Sequence, residues 1–341
     1  MHLLLKNTLN RYVLPILTMS QLEFCIHYPF TSVAKAALEQ SGIAISDRIV
    51  ELALQRIKTA LKEGKVAKSS ALHDSEKIEN IASYAAARMI LGFSRNRFLI
   101  NAYAVAESKR ASDYLDGESD EIIDKVAGEF NIKTEEKNGN LLIPVHIYLK
   151  YSPRDVHYRL SNRELANGYV KLKSRHEKIR LIEGAIKKHM EKIPLVKSPP
   201  ESIKIAAEKL KEFLPKIQRQ EISFSLASGE VPPCIEKLLD SLKKHENLPH
   251  QARWYLAVYL IGRGMPMEEI VSLYSNLPDY NEKITRYQLD HAKKKGYAVP
   301  ACATILTWGL CCADCKIGSP LNWQKLGKAD RESLLKTGRR I

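Results

Sequence analysis

Residues 296–323 read GYAVPACATILTWGLCCADCKIGSPLNW and hold four of the chain's six cysteines, Cys302, Cys311, Cys312 and Cys315. A fifth, Cys234, lies far upstream in VPPCIEKLL (231–239), with residues 235–301 between it and Cys302. Thiolates from two separated segments can enclose one metal centre, and cysteines crowded into the last third of a cytosolic chain suit metal or cluster binding better than disulfides. Four thiolates also suit tetrahedral zinc, and C-x2-C at Cys312 and Cys315 is a common zinc knuckle. Spacing alone leaves zinc and iron–sulfur level, with five buried structural cysteines as a third reading. Neighbouring side chains rarely reach one small site together, so one of Cys311 and Cys312 is expected to be a bystander. Cys25, between Phe24 and Ile26, reads as a core residue.

Upstream of the cysteines the pattern is helical. Helices are expected around 233–244, 249–262, 266–275 and 281–295. In the N-terminal half, SDRIVELALQRIKTALKEGK (46–65) sets Ile49, Leu52, Ile57 and Leu61 near one face with Ser46 as N-cap. Helical periodicity continues through 75–93 and 95–115, the latter with Arg95, Arg97, Lys109 and Arg110 assigned to an outer face. KNGN, LLIPVHIYL and GYVKL (168–172) read as a turn and two short strands, followed by a basic helix over 174–193. The expected fold is mainly α: a helical N-terminal domain with a small α/β element, and a helical C-terminal domain. PLVKSPPESI (194–203) reads as a linker. The domain expectation is an extension at 1–18 ahead of Met19, an N-terminal domain over 19–200, a bridging helix at 201–215, a C-terminal domain over 216–330 and a basic tail at 331–341.

The 341 residues suffice for two ordinary domains. Lys and Arg total 53 against 39 Asp and Glu, a formal net charge of +14, which favours a polyanionic partner over a merely solvated basic surface. No uninterrupted apolar run of about 18 residues occurs, which excludes a spanning helix. Lys6 and Arg11 interrupt the apolar start, a poor fit to a secretory leader, and a cytoplasmic location is expected.

Three other groups of residues bear chemistry. His250 and Arg253 are three apart on one helical face, within reach of a phosphate. Trp254, Tyr255 and Tyr259 among them suit base stacking, although that spacing favours core packing. The acidic run YLDGESDEIID supplies Asp116, Glu118, Asp120, Glu121 and Asp124. It reads as a solvated loop rather than a two-metal polymerase site; no D-x-D pair occurs, so no catalytic residue is assigned and polymerising carboxylates are expected on another polypeptide. Tyr148, Leu149 and Tyr151 place apolar and aromatic groups between charged neighbours and are the best candidates for holding a partner chain.

The stretches VPPCIEKLL, LPHQARWYLAVYLIGRGMPMEEIVSLY, PDYNEKITRYQLDHA and GYAVPACATILTWGLCCADCKIGSPLNW follow one another over 231–323. In that order they resemble the iron–sulfur large subunit family of archaeal and eukaryotic DNA primase. The likeness extends more weakly to YPFTSVAKAAL, IYLKYSPRD and LSNRELANGYVKL. The resemblance implies a [4Fe-4S] cluster on Cys234, Cys302, Cys311 and Cys315, with Cys312 departing from the family pattern. It implies a regulatory, non-polymerising subunit that forms a heterodimer with the catalytic small subunit, docked through the N-terminal domain. It further implies that the segments bearing His250, Arg253, Tyr287, Gln288 and His291 face single-stranded DNA template, the RNA primer/DNA duplex and the initiating nucleoside triphosphate during RNA primer synthesis. The rivals are an iron–sulfur repair glycosylase, whose C-x6-C-x2-C-x5-C spacing does not match, and a zinc-stabilised nucleic-acid-binding module.

Overall fold

The computed structural model describes residues 19–337 apart from 70, 72, 138, 194, 195 and 212–229; the expected extension 1–18 and the end of the tail, 338–341, lie outside the described residues. The described chain opens with helices α1 (Met19–His27), α2 (Ser32–Ser41), α3 (Asp47–Glu63), α4 (Asp74–Ser94), α5 (Arg97–Leu115) and α6 (Asp120–Gly128). The Ser46 hydroxyl accepts from the Ile49 N–H at 3.4 Å and so starts α3 as the sequence predicts. Gly64, at φ 67°, ends that helix in the left-handed region.

α5 is the axis of this half. Its central residues 101–108 are all buried, as expected of a helix stretch enclosed on every side. α8 (Arg175–Glu191) lies along it. Arg110, expected on an outer face, is instead buried: it pairs with Glu107 at 3.5 Å and donates to the Ile26 carbonyl at 2.9 Å. Glu107 also accepts from Arg56 Nη2 at 3.0 Å. Opposite charges a helical turn apart make that burial tolerable, because an isolated buried charge would be far costlier.

Four antiparallel strands form the small sheet in the order β1 (Glu135–Lys137), β2 (Asn140–Pro144), β4 (Tyr169–Leu172), β3 (Leu165–Ala166). Ile143 sits opposite Val170, both buried on the helical side. Asn167 and Gly168, at φ 49° and 80°, make the tight turn between β3 and β4. The strand expected to run through LLIPVHIYL stops at Pro144, and Val145–Tyr151 is helix α7. Gly184 of α8 lets α7 close in: a Cβ there would stand 2.1 Å from the Tyr151 carbonyl oxygen. The acidic run is not wholly loop either. Its second half forms α6, whose first turn carries Asp120 and Glu121 where the helix dipole favours anions, and Arg175 holds Asp120 at 2.8 Å.

The segment expected to bridge the domains contains α9 (Glu201–Lys209), which packs on α3 and α4 and buries Ile203, Ala206, Ala207 and Leu210 in the N-terminal core. A second, separate core begins at Val231 and is built from α10 (Pro233–Lys243), α11 (His250–Gly262), α12 (Met267–Tyr274), α13 (Glu282–Lys295) and α14 (Cys302–Thr307). α15 (Lys328–Thr337) follows, so the expected basic tail is helical as far as 337. Several described contacts join the two bodies, among them Arg159 Nη1, which donates to the Thr307 carbonyl at 3.2 Å. Asn101 Nδ2 donates to the His245 carbonyl at 2.8 Å, Phe98 lies against the His245 ring at 4.9 Å, Lys109 meets Asp279 at 3.3 Å, and Arg154 meets Glu246 at 3.6 Å. Among the described residues no helix is long and apolar enough to cross a membrane.

Candidate iron–sulfur and nucleic-acid site

Cys234 lies in the first turn of α10, directly after Pro233, and Cys302 opens α14. Helix starts present free N–H groups that favour an anionic sulfur. The Cys302 N–H donates to the Gly318 carbonyl at 2.9 Å and so fixes α14 to the loop that carries Cys315. Cys311 donates to the Ala313 carbonyl at 3.2 Å, and the Cys315 thiol approaches the same oxygen at 3.9 Å.

These four cysteines line one cavity of about 140 Å³, together with Pro232, Ile305, Ile317 and Pro320. Cys312 is not among its lining residues; burial raises its thiol, with Lys237 of α10 opposing and Cys311 adding to the rise. The sulfurs surround the space rather than meeting at a point, and among the described residues no three His, Cys, Asp or Glu side chains form a group that could hold a metal ion. The cavity exceeds several times the ~30 Å³ share of one water.

Burial, and then the neighbouring cysteines, push the Cys234 thiol up to about 12 despite the opposing Tyr255 hydrogen bond, and push Cys315 up to about 11. Burial also raises Cys302, and thiols held neutral in this way need a positively charged guest to become thiolates. The apolar walls, four sulfurs and space for several atoms fit a [4Fe-4S] group.

A second hollow, of about 270 Å³, lies between α11 and α13 and is lined by His250, Arg253, Tyr287, Gln288 and His291. The five residues singled out from the sequence thus share one groove. Asn281 starts α13 by accepting from the Ile284 N–H at 3.1 Å, and Leu289 and Ala292 bury its inner face. That orientation leaves Tyr287, Gln288 and His291 exposed, with the Tyr287 and His291 rings 6.3 Å apart and nearly parallel. Arg253 is half-buried and engaged by its own domain: Nε donates to the Leu248 carbonyl at 2.8 Å and Nη2 to Asp279 at 2.7 Å.

Trp254, named from the sequence as a stacking candidate, also lines this groove, as do Thr285 and Tyr297, which the sequence did not single out. Tyr297 follows the Gly296 that ends α13, and only the fold returns it to Trp254, at 5.7 Å. Trp254 in turn meets Trp308, 5.9 Å away, just after α14. Tyr255 and Tyr259 are fully buried, as their spacing favours.

Of the three candidate partner residues, Tyr148 and Tyr151 are buried and only Leu149 is exposed. The Tyr148 hydroxyl donates to the Tyr158 carbonyl at 2.7 Å and accepts from Arg163 Nε at 2.7 Å. A helix in place of the expected strand explains this, since successive residues no longer alternate between two faces.

Residues 225–332 match the family model for the C-terminal domain of the large subunit of eukaryotic and archaeal DNA primase. The chain is 30% identical over 311 residues to DNA primase large subunit PriL of Methanosarcina mazei, covering 85% of this chain and 84% of that one. Against PriL of Methanocella arvoryzae the identity is 30% over 302 residues, 83% and 82% of the two chains. Against PriL of Halobacterium salinarum it is 29% over 318 residues, 83% and 86%. With both cores included in these matches, the chain belongs to the DNA primase large subunit family.

Proposed function

We propose that this chain is the regulatory, non-polymerising subunit of a two-subunit primase, and that its C-terminal domain carries a [4Fe-4S] cluster and holds template DNA and the initiating nucleotide. The observation that carries the proposal is the gathering of His250, Arg253, Tyr287, Gln288 and His291 in one groove of the domain that also holds the four-cysteine cavity. Cys234, Cys302, Cys311 and Cys315 would hold the cluster, whose iron would supply the positive charge that stabilises their thiolates. Cys312, outside the cavity, is the bystander.

Primer initiation joins two nucleotides on a template before any duplex exists, at a large entropic cost. A groove with exposed rings for bases and imidazole and amide donors for phosphate or sugar reduces that cost by holding template and 5′ nucleotide together. Arg253, fixed by Asp279, forms one wall. The catalytic small subunit docks on the N-terminal body, where Leu149 stays exposed. Protein purified anaerobically should absorb near 400 nm, contain iron and sulfide, bring down one small-subunit partner and show no polymerisation alone. A colourless protein with stoichiometric zinc, or polymerisation by the pure chain, would overturn the reading.

A further inference from the structure

We infer that Tyr255 is a hydrogen-bond donor built to the sulfur of Cys234, and that it sets how tightly, and at what potential, the proposed cluster is held. The inference rests on the cluster reading above and concerns a residue outside the thiol set. The Tyr255 hydroxyl stands 3.2 Å from Cys234 Sγ, and both side chains are buried. α11 carries Tyr255 on its core face, and α10 presents Cys234 from its first turn, so the pair joins two packed helices rather than a mobile loop.

A buried phenol ordinarily finds a partner for its O–H, and here that partner is sulfur. A neutral thiol accepts weakly, whereas an anionic ligand sulfur accepts as a charged group does. The contact therefore gains its strength when Cys234 is a thiolate. Tyr259, one turn further along the same buried helix, provides an internal comparison, since its hydroxyl has no hydrogen-bond partner among the described residues.

Hydrogen bonds to ligand sulfurs tune both cluster potential and metal retention. Donation offsets negative charge on sulfur, so it favours the reduced cluster, which carries one more electron. Removing it should lower the midpoint potential and loosen the sulfur's hold.

The test uses the full chain, purified anaerobically, as wild type, Tyr255→Phe and Tyr259→Phe. It reads iron content, midpoint potential by voltammetry, and the rate of iron loss to a chelator. Tyr255→Phe should shift the potential negative by up to a tenfold change in the reduced-to-oxidised ratio, about 59 mV for one electron, and lose iron several-fold faster. Tyr259→Phe should do neither. A ring-fluorinated tyrosine at 255, a stronger donor of almost the same volume, should move the potential the other way, which keeps the inference testable if the Phe variant cannot retain its cluster. A fully loaded wild type whose potential and iron loss are unchanged in both 255 variants, or equally changed in the 259 variant, would overturn this inference alone. A wild type that never contains iron would overturn the cluster reading and this inference with it.

Discussion

Arg253 donates from Nη2 to both carboxylate oxygens of Asp279, at 2.7 and 2.9 Å, and Lys109 of the N-terminal body reaches the same carboxylate at 3.3 Å. Burial by itself would raise the Asp279 carboxyl, but the two cations outweigh it and hold it below its ordinary value. Arg253→Ala removes the nearer cation from a carboxylate that is only 10% exposed. The expected loss is about 3 kcal/mol of C-terminal domain stability, read by denaturant unfolding. Wild-type stability would contradict the pairing. Any loss of primer initiation in that variant must be compared with Arg253→Lys, which keeps the charge.

The same pair sets a pH dependence. A carboxyl depressed in the folded state contributes stability that is full above the ordinary aspartate range and disappears as pH falls through the folded value. Wild type should therefore lose this contribution only on acidification. Asp279→Asn should lack it throughout, and its stability should fall less steeply with acid. Parallel acid-unfolding curves for the two proteins would contradict this.

Cys312 and Cys311 should behave as opposites although they are neighbours. Cys312→Ser should retain iron close to the wild-type amount, because Cys312 does not line the cavity. Cys311→Ser should lose most of its iron. Iron and sulfide analysis of anaerobic preparations decides it, and the reverse result would exchange their roles.

In the groove, Tyr287→Ala removes an exposed ring, and loss of one stacked base is expected to weaken single-strand binding by about 1–3 kcal/mol. Binding anisotropy should show roughly tenfold or greater weakening, and the two-subunit enzyme should lose initiation more than extension of a preformed primer. His291→Ala should act in the same direction. Equal losses in initiation and extension would argue against a role in holding the initiating nucleotide.

At the partner surface, Leu149→Glu should weaken small-subunit binding without changing the unfolding midpoint, because the side chain is exposed. Tyr148→Ala should destabilise the N-terminal body by about 3–5 kcal/mol, the range for truncating a buried aromatic. Calorimetry of binding and denaturant titration separate the two effects.

Much of this was legible in the sequence because it depends on local pattern. Ser46 before an amphipathic stripe gave a helix start, and the four helical stretches from 233 to 295 appear within a residue or so. The gathering of His250 with His291 required the motifs, since nothing local says that α11 and α13 pack together. Misreadings arose where tertiary burial overrode pattern. Arg110 looked external because charge marks an outer face, yet unlike its neighbour Lys109 it turns into the core beside Glu107. VHIYL looked extended because branched and aromatic residues favour strands, yet Pro144 ends the ladder and Gly184 opens a seat for a helix. Residues 201–209 looked like a bridge because prolines precede them, yet Ile203 and Ala206 find a core. Cys311 could not be separated from Cys312, because which of two neighbouring side chains lines the cavity depends on the folded backbone rather than on spacing.

The groove helices α11, α12 and α13 all lie in the chain between Cys234 and Cys302. A guest bound across the four thiols would therefore close the proposed nucleic-acid surface into a covalent-like ring. By chain entropy alone, closing a loop of that length disfavours the unfolded segment by about 4 kcal/mol. On the proposed function, iron supply and template grip would be coupled: a molecule starved of iron would keep every groove residue but lose the closure that helps keep α11 facing α13.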